Sequence, residues 1–148
     1  MNIDKICEQL TIDEKIKHLQ NLGFDGDLKE IEKMYKGQSF NAYDLEYRKL
    51  LEISKEYCMR FTELSGLIAK SSTQQEKIKY ENEKNEILDK LFPGHGQIFG
   101  GGDGLFTIIG TVDLDGNNYI NARVHFNASS LVHLKDSVFV ASNVEFRK

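Results

Sequence analysis

Apolar residues recur every six positions in the last third of the chain. One track consists of large side chains: Ile108, Leu114, Ile120, Phe126, Val132, Val138 and Val144. A second track with the same spacing holds Gly110, Gly116, Ala122 and Ala128, and then Leu134, Val140 and Phe146. A spacing of six is neither the helical nor the strand period. It predicts short strands joined by turns that wind into a parallel β-solenoid.

The residues before Pro93 follow a helical period instead. Two capping boxes, Thr11 with Glu14 and Thr73 with Glu76, each mark a predicted helix start. Helices are predicted over residues 12–22, 28–35, 43–64 and 74–92. The short turn before Thr73 predicts that the last two helices pack as an antiparallel hairpin.

Composition separates these two parts of the chain. Of the charged residues, 33 precede residue 94 and 9 follow, while eight of the twelve glycines lie in the second part. The fold class is therefore α+β.

A net charge of -4 disfavours nucleic acid as a partner, and the short apolar runs disfavour a membrane span. The acidic start and two distant cysteines, Cys7 and Cys58, indicate a cytoplasmic protein.

Most candidate sites in the sequence have a structural explanation. The glycine-rich segment 94–104 is followed by a strand-like run, so a linker is favoured over a phosphate loop. Asp113, Asp115 and Asn117 resemble part of a calcium loop, but Val124 stands where a bidentate Glu is required. No metal site is predicted. The histidines have no metal spacing, and only His125 and His133 remain as alternative catalytic bases.

The segment from Leu114 to Phe146 resembles the first coils of the maltose and galactoside O-acetyltransferases, which are hexapeptide-repeat enzymes. The two similar stretches are LDGNNYINAR and LKDSVFVASNV, which begin at Leu114 and Leu134. The run EKMYKGQSFNAYD, from Glu32 to Asp44, resembles the start of that family's helical domain. The resemblance divides the chain into an extra helical segment (1–28), the family's helical domain (29–93), a glycine-rich linker (94–104) and the start of the solenoid (105–148).

The resemblance implies a left-handed parallel β-helix of about two coils, assembly as a trimer, and acetyl transfer from acetyl-CoA to a sugar hydroxyl. Two residues match positions near the sugar in the family, Asn121 and Thr107, and both are predicted to bind substrate. Arg123 stands where the family has a second Asn. The family's catalytic histidine lies in a T-x-H-P segment, which would fall beyond Lys148. No catalytic or cofactor-binding residue is therefore assigned.

Two functional hypotheses follow from the resemblance. The first is the N-terminal, truncated portion of a sugar O-acetyltransferase that is inactive alone, because the base and the CoA-binding coils are missing. The second is a non-catalytic interaction protein whose solenoid docks on a full-length relative, with the segment 1–28 available for a partner. A third hypothesis is an enzyme that uses His125 or His133 as its base.

Overall fold

The structure, a computed structural model, describes residues 10–100, 103–127 and 131–147. Cys7, Ala128 and Lys148 lie outside these ranges, as do the other residues of 1–9. The described helices are α1 (Ile12–Asn21), α2 (Lys29–Tyr35), α3 (Leu45–Lys70) and α4 (Gln74–Leu91). The strands that follow are β1 (Gln97–Phe99), β2 (Val112–Leu114), β3 (Asn117–Ile120), β4 (His125–Phe126), β5 (Val132–Leu134), β6 (Val138–Val140) and β7 (Glu145–Phe146).

The helix starts follow the predicted caps. The capping box of Thr11 and Glu14 is complete, and the Thr73 hydroxyl accepts from the Glu76 amide at the start of α4. Helix α3 is longer than predicted and continues past residue 64 to Lys70. Its last turn carries no proline, and its one glycine costs only about 1 kcal/mol relative to alanine. Helices α3 and α4 pack against each other, as predicted for the hairpin.

The seven strands form three small parallel sheets. Their orders are β1-β3-β6, β2-β5 and β4-β7, and paired residues within each strand pair are 20 positions apart. The chain therefore passes each of the three sheets once in every 20 residues. We call residues 97–146 the solenoid segment. The predicted parallel pairing of short strands is confirmed.

We call the track of large apolar residues from Ile108 to Val144 the six-residue ladder, and each of its residues a rung. This ladder lies on the inner side of the solenoid segment. Its first four rungs are almost completely buried, and the later rungs pack partly buried against the same core. Phe126 stacks on Phe146 with ring centroids 4.8 Å apart and meets Phe92, which follows α4, edge-on at 6.3 Å. One cluster of buried side chains therefore continues from the helices into the solenoid segment.

The glycine-rich segment 94–104 is not only a linker, because it contains strand β1. Gln97 pairs with Asn117 in β3, and the Gly96 amide donates to the Leu114 carbonyl at 3.0 Å. A Cβ at Gly96 would lie 2.0 Å from the Gly116 carbonyl oxygen. The glycine is thus required because two backbones approach closely, and the solenoid begins at Gln97 rather than at residue 105.

One corner of the solenoid repeats a left-handed backbone turn. Gly104, Arg123 and Asn143 have φ values of +72°, +57° and +64°, and backbone hydrogen bonds join these turns from coil to coil. Glycine and asparagine adopt this conformation readily, whereas arginine does so at a cost. The Arg123 Nε donates to the Asn143 Oδ1 at 2.7 Å, which offsets part of that cost.

Replacing Arg123 by asparagine is expected to stabilise the chain by about 0.5 kcal/mol, since relief of the left-handed strain exceeds the loss of one exposed hydrogen bond. Urea denaturation of the two chains measures the difference. Arg48→Asn, on the exposed side of helix α3, is the matched control and is expected to destabilise, because asparagine is a poorer helix former. A loss of stability in Arg123→Asn equal to that of the control would contradict the expectation.

The turn before β2 is held by three helices. The Tyr35 hydroxyl of α2 donates to the Ile109 carbonyl at 2.7 Å, and the Ile109 amide donates to the Ser54 hydroxyl of α3 at 3.0 Å. The next amide, of Gly110, donates to the Leu91 carbonyl at the end of α4 at 3.3 Å. These bonds fix the helices against the first full coil of the solenoid.

Candidate functional site

An open groove of about 780 Å³ lies between helix α3 and the outer side of the β4-β7 sheet. Its helical wall is formed by side chains at i, i+3, i+4, i+7 and i+8, which lie on one side of α3: Lys55, Cys58, Met59, Thr62 and Glu63. The opposite wall is formed by Gly104, Leu105, Phe106, His125 and Asn127. This volume lies within the range of small-molecule sites.

Three contacts fix the direction of the two walls. The Gly104 amide donates to the Thr62 hydroxyl at 2.9 Å, and the Cys58 thiol lies 3.7 Å from the Thr107 carbonyl. Ser54 accepts from Ile109 one turn earlier in α3. The segment 104–109 therefore runs antiparallel to α3. Glu63 lies at the Gly104 end of the groove, and Lys55 lies at the opposite end.

His125 lies beside Phe106 on the solenoid wall, with ring centroids 6.3 Å apart. Asn127 follows in the same direction along β4 and is therefore nearer to Lys55. On the neighbouring strand, Glu145 is paired with His125, accepts from the Asn127 amide group and accepts from Arg147 at 2.9 Å. The Arg147 hydrogen bond lowers the pKa of the Glu145 carboxyl below its usual range.

Cys58 is a poor nucleophile in this setting. Burial raises the pKa of its thiol to about 11, which is only partly offset by the hydrogen bond to the Thr107 carbonyl. Because the thiolate is the reactive form, the thiol at neutral pH acts as a small apolar group. It contributes to the apolar floor of the groove rather than to chemistry.

The two residues predicted to bind substrate lie in different surroundings. Asn121 lies in the turn after β3, partly exposed, where its Oδ1 accepts from the Ala122 amide at 2.8 Å. Its Nδ2 makes no hydrogen bond among the described residues. Thr107 is 0% exposed, and its hydroxyl has no hydrogen-bond partner among the described residues. Neither residue lines the groove, and their assignment to substrate binding stays a prediction.

The other histidines are held by carboxylates or by backbone. The His133 Nε2 lies 2.5 Å from Asp115, and the His95 Nε2 lies 2.7 Å from Asp89 beside a second cavity of about 470 Å³. His18 lies 2.9 Å from the Lys90 carbonyl. Of the two alternative bases, His125 is the one placed in the larger groove.

Sequence reasoning did not identify the helical wall of the groove. Lys55, Met59 and Thr62 lie on α3 outside its fully buried residues, and the helical period alone does not mark them as part of a site. The available signal was Met59, an apolar residue that does not belong to the buried side of α3. In the structure it is 64% exposed. Within the described ranges, no group of histidine, cysteine, aspartate and glutamate could hold a metal ion, and no helix has the length and apolarity to cross a membrane.

Comparisons with known proteins give one distant structural likeness. No family model matches the sequence, and no curated protein matches it. The solved structure is a hexapeptide-repeat acetyltransferase from Vibrio cholerae O1 biovar eltor, complexed with acetyl coenzyme A. It is 18% identical, with a TM-score of 0.45, over 78% of this chain and 56% of that chain. This chain thus spans about half of that protein, and a likeness at this level carries no conclusion about activity.

Proposed function

We propose that these residues supply the helical domain and first coils of an acetyl-CoA-dependent sugar O-acetyltransferase, with the solenoid as a left-handed parallel β-helix. The observation that carries the proposal is the stacking of the two motifs that resemble the family. Leu114 and Leu134, which begin these motifs, are paired residues of β2 and β5. The sixth residues of the motifs, Tyr119 and Phe139, are paired in β3 and β6. The motifs therefore superpose as successive coils of one repeat.

In the proposed reaction, the sugar hydroxyl oxygen attacks the thioester carbonyl of acetyl-CoA, a base removes the hydroxyl proton, and the CoA thiol leaves. Asn121 is proposed to hold the acceptor through its Nδ2 donors. A general base typically contributes about 10²–10⁴-fold to such a step. The family's catalytic histidine has no counterpart among these 148 residues. We therefore propose that the 148-residue chain is inactive by itself.

The 148-residue chain is expected neither to bind acetyl-CoA in calorimetry nor to release CoA thiol with maltose or a galactoside as acceptor. A chimera with residues 1–146 of this chain, followed by the later coils of an active maltose or galactoside acetyltransferase, is expected to turn over. In the chimera, Asn121→Ala should raise the KM for the sugar without changing the KM for acetyl-CoA. Asn117→Ala, on the outer side of β3, is the control. A folded but inactive chimera would contradict the proposal, as would turnover by the 148-residue chain.

A second candidate function is docking on a full-length acetyltransferase or self-association as a trimer, without catalysis. The observation in its favour is a row of aromatic side chains on the outside of the β1-β3-β6 sheet. Phe99 and Phe139 are 52% and 64% exposed, and Tyr119 stacks on Phe139 with ring centroids 4.5 Å apart. Co-purification with an intact acetyltransferase that is lost in Phe139→Ser would favour docking, and a chain that stays monomeric in its presence would count against it.

A further inference from the structure

The groove between α3 and the β4-β7 sheet has an apolar centre. Met59, Leu105 and Phe106 line it, and the Cys58 thiol, which also lines the groove, is neutral. Met59 is 64% exposed in this groove, so apolar surface there is in contact with water. A ligand with an apolar body would remove that surface from water at a gain of about 25 cal/mol per Å².

The two ends of the groove differ in charge. At the Glu63 end, the carboxylate is paired with Arg60 at 2.9 Å, and Arg60 is also held by Glu83 at 2.6 Å. At the other end, Lys55 has no ion-pair partner among the described residues. The His125 ring lies beside Phe106, toward the middle of the groove, and makes no hydrogen bond among the described residues. Two carboxylates share the one guanidinium at the Glu63 end, which leaves negative charge there, whereas the Lys55 end carries a cation with no ion-pair partner among the described residues.

The neighbouring carboxylate does not cancel this cation. Glu145 lies next to His125, but its oxygens accept from Arg147 and from the Asn127 amide. Its negative charge is thus offset by Arg147, which belongs to the same strand end. Lys55 and His125 then remain as donors toward the groove, with the apolar centre directly beside them.

We propose that this groove binds a small organic anion with an apolar or aromatic body, such as an arylalkyl carboxylate. The carboxylate lies between Lys55 and His125, and the body lies over Met59, Leu105 and Phe106. A bare sugar would leave the apolar centre uncovered. An amine at the other end would have to compete with Arg60 for the Glu63 carboxylate. The site and its ligand class stand apart from the proposed acetyl transfer, since none of these residues takes part in it.

Calorimetric titration with three probes of the same shape tests the proposal on the full 148-residue chain: 4-phenylbutyrate, 4-phenylbutan-1-ol and 4-phenylbutylamine. The carboxylate is expected to bind about tenfold more tightly than the alcohol, because it gains charge-assisted hydrogen bonds. The amine is expected to bind no better than the alcohol. Equal affinity for all three probes, or a preference for the amine, would overturn the proposal, as would the absence of carboxylate binding at millimolar probe.

Variants separate the anion contact from the apolar contact. Lys55→Met should weaken the carboxylate about tenfold and leave the alcohol unchanged, whereas Lys70→Met, on the same helix outside the groove, should change neither. Met59→Asp should weaken all three probes or favour the amine. Both Lys55 and Met59 are exposed, so their variants are expected to fold, and circular dichroism checks this. A carboxylate preference that survives Lys55→Met would assign the anion to another site and overturn the proposal.

Discussion

Replacing Gly96 by alanine is expected to destabilise the chain by about 3 kcal/mol or more. The added methyl group would lie 2.0 Å from the Gly116 carbonyl oxygen and 2.8 Å from its carbonyl carbon. Both atoms belong to backbone, so no side chain can rotate away, and β1 must separate from β3. The pairing of Gln97 with Asn117 would then be lost, and strand β1 would no longer cover the first coil of the solenoid segment.

The same substitution at Gly66 is the matched control and should have the opposite sign. Gly66 lies inside helix α3, and a Cβ built there meets nothing within 4 Å. Alanine at a helix interior stabilises by about 1 kcal/mol relative to glycine. Urea denaturation of both variants measures the contrast. If Gly96→Ala were as stable as the wild-type chain, strand β1 could not be packed on β3 as described.

Gly96 also shows why the start of the solenoid could not be read from sequence. A cluster of glycines is typical of both a linker and a backbone that passes close to another. The deciding fact is the position of the Gly116 carbonyl, which comes from a segment 20 residues later. No local pattern in the residues 94–104 contains that information.

The later part of the solenoid was more predictable because its signal is repeated. Each rung of the ladder, such as Leu114 and Ile120, faces inward, so one short spacing reports on burial over several strands. Asn118 departs from this logic, as it is a buried polar residue. It is satisfied by donating to the Asp115 carbonyl at 2.8 Å and accepting from the Val138 amide at 3.2 Å. Such pairing depends on the next coil and has no sequence signature.

The candidate sites also differ in how far they could be predicted from the sequence. Asn121 could be placed at a coil turn because its neighbours resemble a known repeat. The groove could not be predicted, since Lys55 and His125 are 70 positions apart and meet only when α3 lies along the segment 104–109. Thr107 was expected near a ligand, and its complete burial follows from that same helix covering it. Helix docking is set by contacts that a single sequence does not display.

Removing the two hydrogen bonds on Ile109 is the second change with a large expected effect. Ser54→Ala leaves a buried Ile109 amide without a partner, and Tyr35→Phe leaves its carbonyl without a donor. Each loss is expected to cost about 1–3 kcal/mol, because Ile109 is inaccessible to water. The double variant should lose less than the sum of the single variants, since both bonds hold the same residue against the helices.

The pH dependence of stability separates the two variants. Burial, aided by the nearby charge of Asp113, raises the pKa of the Tyr35 hydroxyl above its usual range. Above about pH 10 the unfolded tyrosine releases its proton while the folded one keeps it, so this group's contribution to stability falls as pH rises, at up to about 1.4 kcal/mol per pH unit. The stability difference between wild type and Tyr35→Phe should therefore shrink above pH 10.

The difference between wild type and Ser54→Ala has no such cause and should stay constant over the same range. Tyr43→Phe, at an exposed position, is the control for loss of a phenol and should change neither the stability nor its pH dependence. Chemical denaturation at several pH values up to about 11 measures all four chains. If the Tyr35→Phe difference were small at neutral pH and constant with pH, the Tyr35 hydroxyl would not be a buried donor to Ile109, and α2 would not hold the solenoid in this way.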